Sequence, residues 1–175
     1  MPRRGRSLRT IRTVRPKFKW SPSTTSQAVQ MPAAAANADT HTLWALASNA
    51  AVNGSVVPPV LKVRHMKVKL TFPQQTDVMA EARGAYQAYI MFQPQGVTLT
   101  GDAPNLHPEW ILAMTTFGLS SSQAINISMS PTLSRNLNTG DSIQLLISQH
   151  NSTQVGTASP QYAFLLTCQY VARTN

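Results

Sequence analysis

The sequence predicts an all-β sandwich of about eight antiparallel strands, preceded by a disordered basic N-terminal arm. Three observations predict it. Seven short segments alternate apolar and polar residues with period two. Gly, Pro, Asn and Asp punctuate the intervals between them. The charge is gathered at one end: of 15 Lys and Arg residues, eight fall within the first 19 positions, which hold none of the six acids.

The arm is the stretch RRGRSLRTIRTVRPKFK. It carries Arg3, Arg4, Arg6, Arg9, Arg12, Arg15, Lys17 and Lys19. The whole chain has a net charge of +9, so the rest of the molecule nets only +1. Like charges this dense repel one another, and the arm is expected to stay disordered until it meets an anion. Six of its eight bases are Arg, which forks onto phosphate oxygens and stacks on bases. Nucleic-acid phosphate is therefore the expected partner. An anionic membrane surface and a nuclear-import signal are the alternatives. Leu8, Ile11, Val14 and Phe18 fall near helical spacing, but Pro16 would break the helix that membrane binding requires. Phe18 and Trp20 either stack on unpaired bases or dock the arm's root onto the body.

Next comes SPSTTSQAVQMPAAAANADTH, from Ser21 to His41, rich in Ser, Thr, Ala and Pro. It reads as a mostly extended linker. The expected division is an arm and linker over 1–38 and a β body over 39–175.

The body reads as strands in order. TLWALAS near Trp44 is the first. VRHMKVKLTF, after Pro59, is the second. AYQAYIMFQ sets Tyr86, Ala88, Ile90 and Phe92 against Gln87, Tyr89, Met91 and Gln93. EWILAMTTF follows Pro108. INISMS sets Ile125, Ile127 and Met129 against Asn126, Ser128 and Ser130. DSIQLLISQ places Ile143, Leu145 and Ile147 on one face. QYAFLLTCQYVA aligns Tyr162, Phe164, Leu166, Cys168 and Tyr170, with Leu165 and Val171 on the other side. Only TDVMAEARGA suggests a short helix. Two long connections, Pro94 to Pro108 and Ser130 to Asp141, are longer than a compact sandwich needs unless they have a role; in a self-assembling shell they would make contacts between subunits.

The second strand carries its own charge. Met66, Val68, Leu70 and Phe72 share the core-facing parity, so Lys67 and Lys69 point away from the core. Lys62 and Arg64 have the even parity of the core face, where an unpaired charge is costly. A regular strand beginning near His65 or Met66, or a bulge there, resolves the conflict. Lys67 and Lys69 thus join the arm as expected nucleic-acid-binding residues. Arg135, the lone base between Arg83 and Arg173, is expected to contact a neighbouring subunit or to pin its loop.

Catalytic patterns fail on composition. His107-Pro108-Glu109 has the H-x-E of zinc deaminases, but that chemistry also needs P-C-x-x-C, and the chain has one cysteine. The same cysteine, Cys168, leaves no intrachain disulfide. His41, His65, His107 and His150 are scattered, and neither a G-x-S-x-G elbow nor a P-loop is present. No enzyme activity, catalytic residue, metal or cofactor is expected. The charged N-terminus lacks the apolar run of a secretory leader, and no stretch is long enough to span a membrane. Asn53, Asn126 and Asn151 begin N-x-S/T triplets, which are expected by chance in so Ser/Thr-rich a chain.

The arm, the polar linker and the small β body together resemble a viral coat protein. More specifically, three stretches resemble the single jelly-roll capsid proteins of small circular single-stranded DNA viruses of the circovirus-like group. VRHMKVKLTFP resembles that family's basic-and-apolar strand. AYIMFQPQG and LHPEWILA resemble the strand, loop and strand that follow. LSRNLNTGDSIQLLIS resembles its Arg-Asn-Leu-Asn-x-Gly-Asp turn entering a strand. The resemblance covers roughly the middle half of the chain, and the arm is short for that group. It implies a jelly roll of two facing four-stranded sheets and a virion protein assembled as sixty copies. It also implies a single-stranded DNA partner and nuclear import through host factors. Sixty arms of eight charges would neutralise about 480 phosphates at one charge apiece, short of a kilobase-scale genome. A coat protein of a small RNA satellite virus and a cellular, non-assembling nucleic-acid-binding β-domain with a basic tail are the alternatives.

Overall fold

A computed structural model describes residues 19–31, 40–50, 56–74, 85–119, 123–132, 134–150 and 162–174. The strands are β1 (Ser21–Met31), β2 (Thr40–Ser48), β3 (Val60–Phe72), β4 (Ala85–Gln93), β5 (Ile111–Phe117), β6 (Ile125–Met129), β7 (Arg135–Asn138), β8 (Ser142–His150) and β9 (Tyr162–Thr174). One short helix, α1 (Ala103–Leu106), and a 3-10 turn (Pro108–Trp110) lie between β4 and β5.

The strands form two sheets. Sheet 1 runs β1-β9-β3-β6, with β7 also on β3; sheet 2 runs β2-β8-β4-β5. All pairings are antiparallel. The first half of the chain pairs with the second half in reverse order: β1 with β9, β2 with β8, β3 with β6 and β7, β4 with β5. A long ribbon rolled on itself in this way is a jelly roll. β6 pairs with residues 68–72 of β3 and β7 with residues 60–63, so the two share one strand position. Sheet 1 therefore has five strands in four positions, one strand more than the four-stranded sheet that the resemblance implied.

Two segments differ from expectation. Ser21–Met31, read as linker, is an eleven-residue strand paired with β9 along its whole length. Its sequence is polar because it is an edge strand: most of its side chains are exposed, and only Val29 and Met31 reach the core. Backbone hydrogen bonds hold it, and those leave no pattern in side-chain polarity. Arg135–Asn138, read as part of a loop, is β7, which only its pairing with β3 defines. The helix expected over Thr76 to Ala85 falls, but for Ala85 at the start of β4, outside the described residues.

The core lies between the sheets. Phe72 and Phe164 of sheet 1 stack at 4.8 Å. Phe72 meets Phe117 of sheet 2 at 5.2 Å, Phe117 meets Tyr86 at 5.3 Å, and Trp44 meets Phe164 edge-on at 5.2 Å. This aromatic chain bridges the sandwich and is flanked by Val68, Leu70, Ile90, Leu145 and Ile147.

A second apolar cluster lies on the far side of sheet 2. Leu43, Leu146, Tyr89 and Met114 form a cross-strand row there. Leu99, Ala103 and Trp110 of the β4–β5 connection cover Leu43, Tyr89, Met91 and Leu146. This explains why Tyr89 and Met91 occupy polar-parity positions: the connection folds back as a lid on its own sheet. Met114 and Leu106 remain exposed beside it.

Candidate nucleic-acid interface

β3 positions the body's charge. Its N-terminal part buries Val63, and from Met66 onward Met66, Val68, Leu70 and Phe72 are buried. The parity changes at a bulge: the register with β9 shifts between Arg64 and Lys67, and His65 adopts a φ of 51°. One extra residue in β3 flips the facing of everything before it. Lys62 and Arg64 thereby join Lys67 and Lys69 on the side of sheet 1 turned away from the core. Of the two alternatives left open, the strand runs from Val60 and the bulge is present, and Lys67 and Lys69 are exposed as expected.

β9 adds a fifth cation. Arg173 pairs directly with Lys62, while Val171, Gln169 and Thr167 pair with Arg64, Lys67 and Lys69. On β6, Ser128 pairs with Lys69 and Asn126 with Thr71, whose hydroxyl donates to Asn126 Oδ1 at 2.9 Å. On the β1 side, the hydroxyls of Ser26 and Thr167 lie 3.2 Å apart. The face is thus a row of cations set among hydroxyl and amide groups, with the apolar Val171 and the exposed Leu165 beside them. The acids among the described residues are Asp102 and Glu109, in the connection on sheet 2, and Asp141, buried at the start of β8.

The arm enters at this face. Trp20 immediately precedes β1. The guanidinium carbon of Arg64 lies over its ring at 4.7 Å and that of Arg173 at 5.3 Å. Trp20 therefore docks the arm's root, one of the two roles the sequence left open. Lys19 is exposed next to it. Arg3, Arg4, Arg6, Arg9, Arg12, Arg15, Lys17 and Phe18 lie outside the described residues.

Arg135 sits apart from this row. It pairs with Val63 on β7, and its guanidinium lies over the Phe92 ring of sheet 2 at 5.4 Å. Its Nε is buried without a hydrogen-bond partner among the described residues. The H-x-E pair is a local contact: His107 stacks on Trp110 at 3.8 Å, and its Nδ1 lies 3.2 Å from Glu109 Oε1. Among the described residues no group of three or more His, Cys, Asp or Glu is placed to hold a metal ion, and no helix is long and apolar enough to cross a membrane.

Sequence reasoning found Lys67 and Lys69 from parity. It left Lys62 and Arg64 unassigned, although the parity conflict they create was the signal that a bulge would turn them outward. Arg173 gave no local signal; only its register opposite Lys62 places it here.

No protein-family model matches the chain, and no curated protein matches its sequence. Solved structures that resemble it include that of Cocksfoot mottle virus, at 11% identity over 90% of this chain and 96% of that one, with a TM-score of 0.47. The decameric BFDV capsid protein resembles it at 8% identity over 90% and 99% of the two chains, with a TM-score of 0.41. Desmodium yellow mottle tymovirus does so at 16% identity over 93% of each chain, with a TM-score of 0.39. Likenesses at these levels of identity and TM-score transfer no function to this chain.

Proposed function

We propose that the chain is a viral coat subunit that self-assembles into a small icosahedral shell and packages nucleic acid with its basic arm. The observation that carries this reading is where the charge resides. Trp20 ties the arm's root to the same face that bears Lys62, Arg64, Lys67, Lys69 and Arg173. Five of the seven Lys and Arg residues beyond position 19 share this side of the sandwich. A jelly roll alone would not select this function, because lectins and cupins use it too. The charge distribution supports it.

In this reading the cation-bearing face of sheet 1 and the arm of residues 1–19 line the shell interior. Phosphate neutralisation there is sequence-independent and salt-sensitive. The exposed Leu106 and Met114 belong to contacts between subunits, as does Arg135. The sequence resemblance adds a single-stranded DNA genome, sixty subunits and nuclear import of the arm. The boundary between arm and shell domain falls nearer Trp20 than residue 39. No catalytic role is assigned.

Negative-stain imaging of the purified full chain tests the reading directly. The expected result is shells tens of nanometres wide. Deleting residues 1–19 should leave shells intact and sharply lower their nucleic-acid content by ultraviolet absorbance ratio. Monomers that bind nucleic acid would overturn the shell and favour a non-assembling nucleic-acid-binding β-domain. Shells containing RNA would favour a satellite-type coat.

A further inference from the structure

Lys62 and Arg173 face each other directly across β3 and β9, and Arg64 lies two residues along from Lys62 on the same face. Like charges directly opposite in a sheet destabilise it. Trp20 offsets part of the cost, since the negative face of an indole attracts a guanidinium. It also has a geometric effect. Stacking engages the flat face of a guanidinium and leaves the in-plane N–H donors at its rim outside the contact. Arg64 is exposed, and its guanidinium carbon lies 4.7 Å from the Trp20 ring centroid, close enough for such a contact.

We propose that Trp20, Arg64, Lys62 and Arg173 form a discrete phosphate-binding site at the arm's root, in which Trp20 orients the Arg64 fork toward one backbone phosphate of the bound nucleic acid. This rests on the reading of the chain as a nucleic-acid-binding coat and goes beyond it. The rest of the face, Lys67 and Lys69, acts as point charges with loose geometry. The Trp20 cluster acts as a fixed fork. It pins the strand where arm and body meet, so arm and body follow one nucleic-acid path. Trp20 is a positioning residue and Arg64 the phosphate contact.

The discriminating variants are Arg64→Lys, which keeps the charge and removes the planar fork, and Trp20→Leu, which removes the platform. Binding of fluorescently labelled octathymidylate to the full-length protein is followed by anisotropy over a range of salt, with thermal unfolding as the check on folding. Each single variant should weaken binding about five-fold. The slope of affinity against salt should stay at its wild-type value, because the number of phosphates neutralised is unchanged. The double variant should lose no more than either single one, because both act through the same fork. If Trp20→Leu fails to fold, the Arg64→Lys result decides alone. Wild-type affinity in Arg64→Lys would overturn the fork while leaving the nucleic-acid reading intact. Fully additive losses would overturn the orienting role of Trp20. A wild-type protein that does not bind octathymidylate would overturn the nucleic-acid reading and the fork with it.

Discussion

Asn49 and Asp141 lock two loops together through their backbones: the Asn49 N–H donates to the Asp141 carbonyl oxygen at 3.0 Å, and the neighbouring Gly140 N–H donates to the Asn49 carbonyl oxygen at 2.8 Å. Their side chains extend the clamp. Asn49 Nδ2 donates to the carbonyls of Leu137 at 2.9 Å and Pro58 at 3.0 Å. The Asp141 carboxylate accepts from the Asn138 N–H at 2.8 Å and the Gln95 N–H at 2.9 Å. Gly140 has a φ of 88°, a conformation that favours glycine, and a Cβ there would also push aside the exposed Gln95 side chain. Four chain segments meet at this point: the ends of β2 and β4, the entry to β3, and the β7–β8 turn.

Asn49 is only 2% exposed, so replacing it leaves buried carbonyls without a donor. Asn49→Ala should destabilise the protein by about 1–3 kcal/mol. A lower denaturation midpoint with an unchanged denaturant slope is the expected outcome. An unchanged midpoint would show that the clamp is dispensable.

His65 occupies the left-handed region at the β3 bulge. A β-branched side chain is poorly tolerated there, whereas Asn adopts it readily. His65→Val should cost about 1–2 kcal/mol, and His65→Asn should be close to neutral. Equal stability of the two variants would show that the bulge relaxes to another conformation.

Burial pushes the Cys168 thiol up to about 11 from an ordinary 9.0. The thiolate is the reactive form, so alkylation of the native protein at pH 8 should run about a hundred-fold slower than that of the urea-unfolded chain. The linkage has a defined sign. Below pH 9.0 both states hold the proton; between pH 9.0 and about 11 the unfolded chain releases it and the folded chain keeps it. Stability therefore falls as pH rises through that window. Mass spectrometry of iodoacetamide adducts reads the first effect. Rapid native labelling would contradict the buried placement.

Lys67 and Lys69 are exposed and lack salt-bridge partners among the described residues. The double change to Gln should shift stability by no more than about 0.5 kcal/mol. It should lower encapsidated nucleic acid, most clearly in particles that already lack residues 1–19. Unchanged packaging in that background would remove these lysines from the binding surface.

The sequence by itself determined whatever depends on which way a residue faces along one strand. The alternation in β6 and β8 named their core residues. In β3 the clash between Lys62, Arg64 and the even-numbered apolar run required an irregularity near His65. Uneven charge along the chain marked off the arm. These features were legible because burying apolar side chains, and keeping charges out of the core, imposes the pattern residue by residue. The tertiary structure decided the rest. β1 is held by backbone pairing with β9 and carries almost no apolar signal. Tyr89, Met91 and Leu146 are buried only because the β4–β5 connection folds back over them. Arg173 meets Lys62 and Trp20 meets Arg64 through registers between strands far apart in the chain. Such meetings arise from hydrogen-bond register and loop packing, which bring together residues that carry no local trace of one another.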